Sequence, residues 1–248
     1  MYNSEMEHFK DYASDLLARS THGSTEGNSG SSYLRTSKQT WLDHREFSPN
    51  ITLVHNKIGG SSLNESARIL ETDWSWGSYF STRDVFNATD KVAARVSDRM
   101  ELVGKFKLLK YWSAEKFQIA NYGLGGQYGQ HLDAHGYWNG VTKSDFLEKT
   151  GDRIATIMVY LADVEAGGAT CFPNTGNRIT VKKGDAAFWL NMYTSGLQDQ
   201  FTNHGGCPVL VGSKWITNKW VGYLDQFREY PCSVKGWNER FHKFESYY

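Results

Sequence analysis

Hydrophobic and polar positions follow different rhythms in the two halves of the chain. Near the start, Met6, Phe9, Leu16 and Leu17 recur at helical spacing, and Ser4 followed three residues later by Glu7 predicts a capping box opening a helix over 4–19. Residues 21–32, THGSTEGNSGSS, hold too little apolar material to pack and predict a loop. Residues 46–90 are polar with scattered aromatics and keep no period. A second amphipathic helix follows, with Val92, Val96, Met100 and Val103 on one face and Arg95, Asp98, Arg99 and Glu101 elsewhere. From about residue 106 the pattern shortens to β-type runs: 116–122, 153–161, 178–181, 186–190, 208–211 and 214–221. Glycine turns (GLGG, EAGGA, KKGD, VGS) separate most of them, and no helices interleave regularly. This predicts an antiparallel sandwich or jelly roll rather than a Rossmann sheet, in one domain with its helices first.

Composition narrows the class. The chain has 248 residues, 40% hydrophobic and 15% aromatic, which is too much core material for a disordered protein. Its 27 Lys+Arg balance 27 Asp+Glu, so a partner such as nucleic acid, which selects a net positive field, is not expected. No apolar run approaches the ~18 residues of a membrane span. The opening MYNSEMEHFKDYASD is acidic and polar where a signal peptide needs a basic and then an apolar stretch, so no signal peptide is expected in these residues.

The first chemical signal is His131-Leu132-Asp133. On an extended strand, residues two apart share a face, so an imidazole and a carboxylate stand together. That is two thirds of the facial triad that holds non-haem Fe(II). His135 would share the face and complicate the ligand set. Downstream, His204 precedes an apolar run and Lys214 follows ten residues later. A third ligand and a nearby cation could grip a small dicarboxylate at both ends; a loop histidine and a strand-edge lysine are the plainer reading of the same residues.

The longer motifs carry a resemblance. The block from Arg153 to Cys232, with RIATIMVYLADVEAGGATCFP, NHGGCPVLVGSKWITNKW and REYPC in order, closely resembles the catalytic domain of collagen prolyl 4-hydroxylase α subunits. NYGLGGQYGQHLD fits the same family, and residues 19–42 fit it in a more degraded form. The resemblance implies a mainly β fold with flanking helices and a double-stranded β-helix (jelly-roll) core. One domain would then span 1–248, with N-terminal helices and a polar insertion to about 105, the core from about 106 to 232 and a short tail. It implies hydroxylation of prolyl residues in collagen-like peptides with Fe(II), 2-oxoglutarate, O2 and L-ascorbate. Carried over residue by residue, His131, Asp133 and His204 would hold iron; Lys214, helped by Tyr122 and Thr170, would hold the distal carboxylate of 2-oxoglutarate; Tyr128, Trp220 and Arg153 would line the peptide site.

The resemblance also pairs Cys207 with Cys232 and leaves Cys171 as a buried thiol. Three sequons, at Asn50, Asn64 and Asn87, cluster in the polar segment and, with that cysteine pair, favour the endoplasmic reticulum lumen. A protein disulfide isomerase β subunit is the partner the family implies. The dimerisation and peptide-binding regions that precede the family's catalytic domain are not in this sequence, which leaves a fragment, an isoform or a reduced paralogue open. A catalytically silent binding or assembly module, and a hydroxylase of a non-collagen peptide, stay open as alternatives. Lys219, an odd offset from Lys214, is expected to face outward.

Overall fold

The structure is a computed structural model, and it describes residues 1–19, 36–43, 90–110, 112–136, 150–233 and 241. The loop expected at 21–32 and the sequons Asn50, Asn64 and Asn87 lie outside the described residues.

Among the described residues there are two α-helices, and they do not simply come first as expected: two short strands lie between them in the chain. Helix α1 spans Asn3–Ser14, and its first turn is closed by Glu5, not Glu7: the Glu5 carboxylate accepts from the Tyr2 backbone N–H at 2.8 Å. Glu7 instead pairs with Lys10 and Lys183. Helix α2 spans Lys91–Gly104 and is capped by Asp90, whose side chain accepts from the Val92 and Ala93 N–H groups. Its buried face is Ala93, Ala94, Val96 and Ser97; Val103, expected on that face, is exposed. Ala93 and Val96 pack with Met6, Phe9 and Ala13 of α1, so small side chains sit where the two helices meet.

The strands are β1 (Ala18–Arg19), β2 (Lys38–Leu42), β3 (Phe117–Tyr122), β4 (Tyr128–His131), β5 (Arg153–Tyr160), β6 (Ala166–Gly167), β7 (Thr170–Phe172), β8 (Asn177–Ile179), β9 (Ala186–Leu190), β10 (His204–Gly206), β11 (Val209–Val211) and β12 (Lys214–Gly222). Among the described residues they form a major sheet ordered β1-β2-β3-β12-β5-β9, a minor sheet ordered β4-β10-β7-β8, and the ribbon β11-β6. Every strand pairing among the described residues is antiparallel, as a jelly roll requires.

The major sheet is covered on both faces, which is why β5 and β12 are buried almost throughout instead of alternating. On one face Phe117, Ile119 and Val159 pack with Met6, Phe9, Ala13, Ala93 and Val96 of the helices. On the other, Ala120, Tyr122, Met158, Tyr160, Trp189 and Ile216 meet Phe172 and Val209 between the sheets. Lys219 belongs to the helix side. It does point away from Lys214, but it is buried there with its ammonium 4.3 Å from the centre of the Phe117 ring. The helices cover what would otherwise be an outward face, so the expected exposed lysine is an interior one.

Candidate active site

The space between the sheets opens as a cavity of about 510 Å³. Strand periodicity decides what faces it. Lys214, Ile216, Asn218 and Trp220 come from β12, Gln118 and Tyr122 from β3, Met158 from β5, and Gln39 and Trp41 from β2. The minor sheet adds Tyr128, His131, Thr170 and His204.

At one side the structure brings His131, Asp133 and His204 together, with their ligand atoms all within 4.8 Å of one another. His131 ends β4 and lies directly across from His204, which begins β10. Asp133 follows in a bend after the strand rather than on it, and still turns inward: its carboxylate stands 3.5 Å from His131 Nε2 and 3.7 Å from His204 Nε2. Each imidazole is oriented from behind. His131 Nδ1 bonds the Gly129 carbonyl and His204 Nδ1 the Thr202 carbonyl, both at 2.9 Å, so Nδ1 carries the proton and Nε2 offers its lone pair inward. Burial pushes the His204 imidazole below its usual range, which favours the neutral, ligating form. Burial alone would raise the Asp133 carboxyl, but His204, His131 and Arg153 together hold it well below the usual carboxylate range.

Asp133 is itself held. The Thr156 hydroxyl donates to Oδ2 at 2.6 Å and accepts from Asn191 Nδ2 at 2.9 Å. The loop beyond it is pinned by Asp152, which accepts from the backbone N–H groups of His135, Gly136 and Arg153. His135 is therefore turned out of the cluster: it lines the cavity but contributes no atom to the three-ligand group. Gly205 permits the close approach of β10 to β4, since a Cβ there would fall 2.9 Å from the Tyr128 carbonyl oxygen.

Lys214 lines the same cavity, opposite Tyr122 in the strand register. It is 3% exposed, and its ammonium donates to Thr170 Oγ1 at 3.2 Å. Tyr160 also donates to Thr170 Oγ1, at 2.9 Å, so the threonine's own proton is left for another acceptor. Burial lowers the Lys214 pKa to about 8. Its ammonium has no carboxylate partner among the described residues. A buried cation of that kind is completed by an anion brought in from outside. Tyr160 is a site residue the sequence reading did not single out.

The three lining positions also converge. Tyr128 stacks on His131 with ring centres 3.9 Å apart. Arg153 lies 3.9 Å over the Trp220 ring, is held by both carboxylate oxygens of Glu115, and reaches the Asp133 carbonyl at 3.3 Å. Trp41 tilts against Trp220 at 5.9 Å and extends that aromatic wall onto β2.

The cysteines differ from the expectation. Cys171 is bonded to Cys207, and Cys232 is free and exposed. The register explains the pairing: Cys171 lies across from Gly205 and Thr170 across from Gly206, so β7 presents Cys171 beside the end of β10. The bridge thus ties the strand bearing Thr170 to the segment that follows His204.

A donor set of two neutral imidazoles and one ionised carboxylate, converging on one point and braced from behind, fits a divalent iron with open positions. Residues 117–222 match the 2OG-Fe(II) oxygenase superfamily. Prolyl 4-hydroxylase subunit alpha-1 of Homo sapiens is 44% identical over 183 residues, which is 73% of this chain and 31% of that protein. The same subunit of Rattus norvegicus is 39% identical over the same shares. The chain spans about a third of the length of these relatives. A solved 2OG complex of a viral collagen prolyl hydroxylase, from Paramecium Bursaria Chlorella virus-1, aligns with 90% of each chain at a TM-score of 0.53 and 21% identity, which shows the shared fold.

Proposed function

From the premise that residues 117–222 are a 2OG-Fe(II) oxygenase domain, we propose that this chain is a prolyl 4-hydroxylase acting on collagen-like peptides, and that 1–248 works as one domain. The observation that carries the reading is one cavity lined both by three converging ligands and by a buried ammonium that has no acidic partner among the described residues. His131, Asp133 and His204 hold the iron, and Lys214, Thr170 and Tyr122 hold the distal carboxylate of 2-oxoglutarate. Iron, when bound, supplies the activation of O2 that couples loss of CO2 from 2-oxoglutarate to oxidation of a C–H bond.

The chain's own part is positional. Thr156 and Asn191 hold the Asp133 carboxylate in orientation, and the Gly129 and Thr202 carbonyls fix which nitrogen each imidazole offers. Thr170 donates its free proton to the incoming carboxylate, while Lys214 neutralises it in a site shielded from water. Tyr128, Trp220 and the Glu115-braced Arg153 would seat the peptide beside the three ligands. Succinate and CO2 leave with the hydroxylated residue.

Ascorbate as a reductant, a protein disulfide isomerase β subunit as partner, residence in the endoplasmic reticulum lumen and glycosylation at Asn50, Asn64 and Asn87 belong to the same proposal, supported by the family resemblance. The Cys171–Cys207 bridge adds support for an oxidising compartment. The test is release of CO2 from carboxyl-labelled 2-oxoglutarate. A (Pro-Pro-Gly) peptide should stimulate it strongly, and a silent assembly module would release none.

A further inference from the structure

Side-chain amides cross the cavity face of the major sheet in a row. Asn218 on β12 lies across from Gln118 on β3, and Gln118 lies across from Trp41 on β2, with Gln39 diagonal to it. Their hydrogen bonds run in one direction: Asn218 Nδ2 donates to Gln118 Oε1 at 3.1 Å, and Gln118 Nε2 donates to Gln39 Oε1 at 2.8 Å. That polarity leaves an acceptor over at the inner end, Asn218 Oδ1, which is buried and has no hydrogen-bond partner among the described residues. Two residues along the same face, the Trp220 indole N–H is likewise buried and unpartnered. All four side chains line the cavity, and the Asn218 row continues onto Met158, two residues from the Thr156 that braces Asp133.

An unpaired buried acceptor and donor each cost stability, so their retention side by side at a cavity wall points to a ligand that completes both. A peptide main chain offers a donor and an acceptor at every residue except proline, which lacks the N–H. The oxidised proline cannot satisfy Asn218; a neighbouring residue can. We propose that Asn218, set by the Gln39–Gln118 row, accepts a main-chain N–H from a residue beside the oxidised proline, while Trp220 donates to a nearby carbonyl. This rests on the prolyl-peptide reading above and adds a requirement to it: the flanking residue must carry an N–H.

The test is calorimetric titration of the full chain, without added metal, with a (Pro-Pro-Gly) repeat peptide and with its analogue carrying sarcosine in place of glycine. The wild-type protein should bind the glycine peptide about tenfold more tightly. Asn218→Ala should abolish that ratio, and Asn218→Asp, which keeps an acceptor, should retain most of it. Unchanged 2-oxoglutarate affinity and melting temperature exclude a general loss of structure. Equal wild-type affinities for the two peptides overturn the proposal, and so does a full ratio in Asn218→Ala, which would place the N-methyl clash elsewhere. If Asn218→Ala does not fold, Gln39→Ala at the outer end of the row replaces it, and an undiminished ratio there is the refuting result. A wild-type protein that binds 2-oxoglutarate but neither peptide would overturn the prolyl-peptide reading itself.

Discussion

Replacing Lys214 with methionine should make the protein a worse enzyme and a more stable one. The side chain is buried, and its ammonium has one hydroxyl acceptor, Thr170, and no acidic partner among the described residues. Burial lowers its pKa from 10.5 to about 8, a cost of about 3 kcal/mol while the folded chain keeps the charge. The sign follows from linkage. Below about pH 8 the lysine is protonated in folded and unfolded chains alike, and the cost is felt in full. Between about 8 and 10.5 the folded chain gives up its proton first, so wild-type stability rises with pH across that window. Lys214→Met has no charge to bury. At pH 7 its urea-unfolding free energy, without co-substrate, should exceed wild type by about 3 kcal/mol, and the rise above pH 8 should be lost.

With 2-oxoglutarate present the order reverses. A buried anion deprived of its cation loses roughly 3–5 kcal/mol, so the 2-oxoglutarate KM should rise by roughly two to four orders of magnitude. Iron affinity should hardly change. Lys182→Met, at an exposed position, is the control. Lys219→Met is not, because Lys219 is interior. A 2-oxoglutarate KM equal to that of the control, or a methionine variant less stable than wild type at pH 7, would refute the reasoning.

His131→Ala, Asp133→Ala and His204→Ala should each remove Fe(II)-dependent turnover with the fold retained, whereas His135→Ala should still bind the metal; loss of metal in His135→Ala alone would reassign the ligand set. Thr156→Val leaves Asp133 without its hydroxyl donor and should weaken Fe(II) binding about tenfold, with Thr156→Ser restoring most of it, as read by metal titration. Alkylation and peptide mapping of the oxidised protein should find Cys171 and Cys207 linked and one free thiol at Cys232; a Cys207–Cys232 peptide would contradict the structure. Arg153→Lys cannot keep both bonds to Glu115 and the contact with Trp220, and should raise the peptide KM while leaving that of 2-oxoglutarate unchanged.

Much of the core was legible because β-runs in a doubly covered sheet are long and apolar. The runs at 117–122, 153–160, 186–190 and 214–222 fall where the pattern put them. The strands without such a signature are those around the site. Thr170–Phe172 and His204–Gly206 are three residues each, and their sequences answer to ligand and close-approach demands rather than to packing. Helix registers shifted because alanines, which carry little hydrophobic weight in a periodicity, supply half of the buried face of α2. The pairing of Cys171 was invisible for a different reason: it depends on the register of β7 against β10, which no local pattern encodes. Thr156 and Gln118 carried a usable signal. Each is a polar residue on the inward face of an otherwise apolar strand, and such a residue asks what it serves.

The most direct measurement is mass spectrometry of a (Pro-Pro-Gly) peptide incubated with the protein, Fe(II), 2-oxoglutarate and air. The peptide should gain single oxygen atoms on proline, with one succinate formed for each, and His204→Ala should yield neither product. Succinate formed without oxygen gained by the peptide, or an unmodified peptide and no succinate from protein that has bound iron, would contradict the assignment.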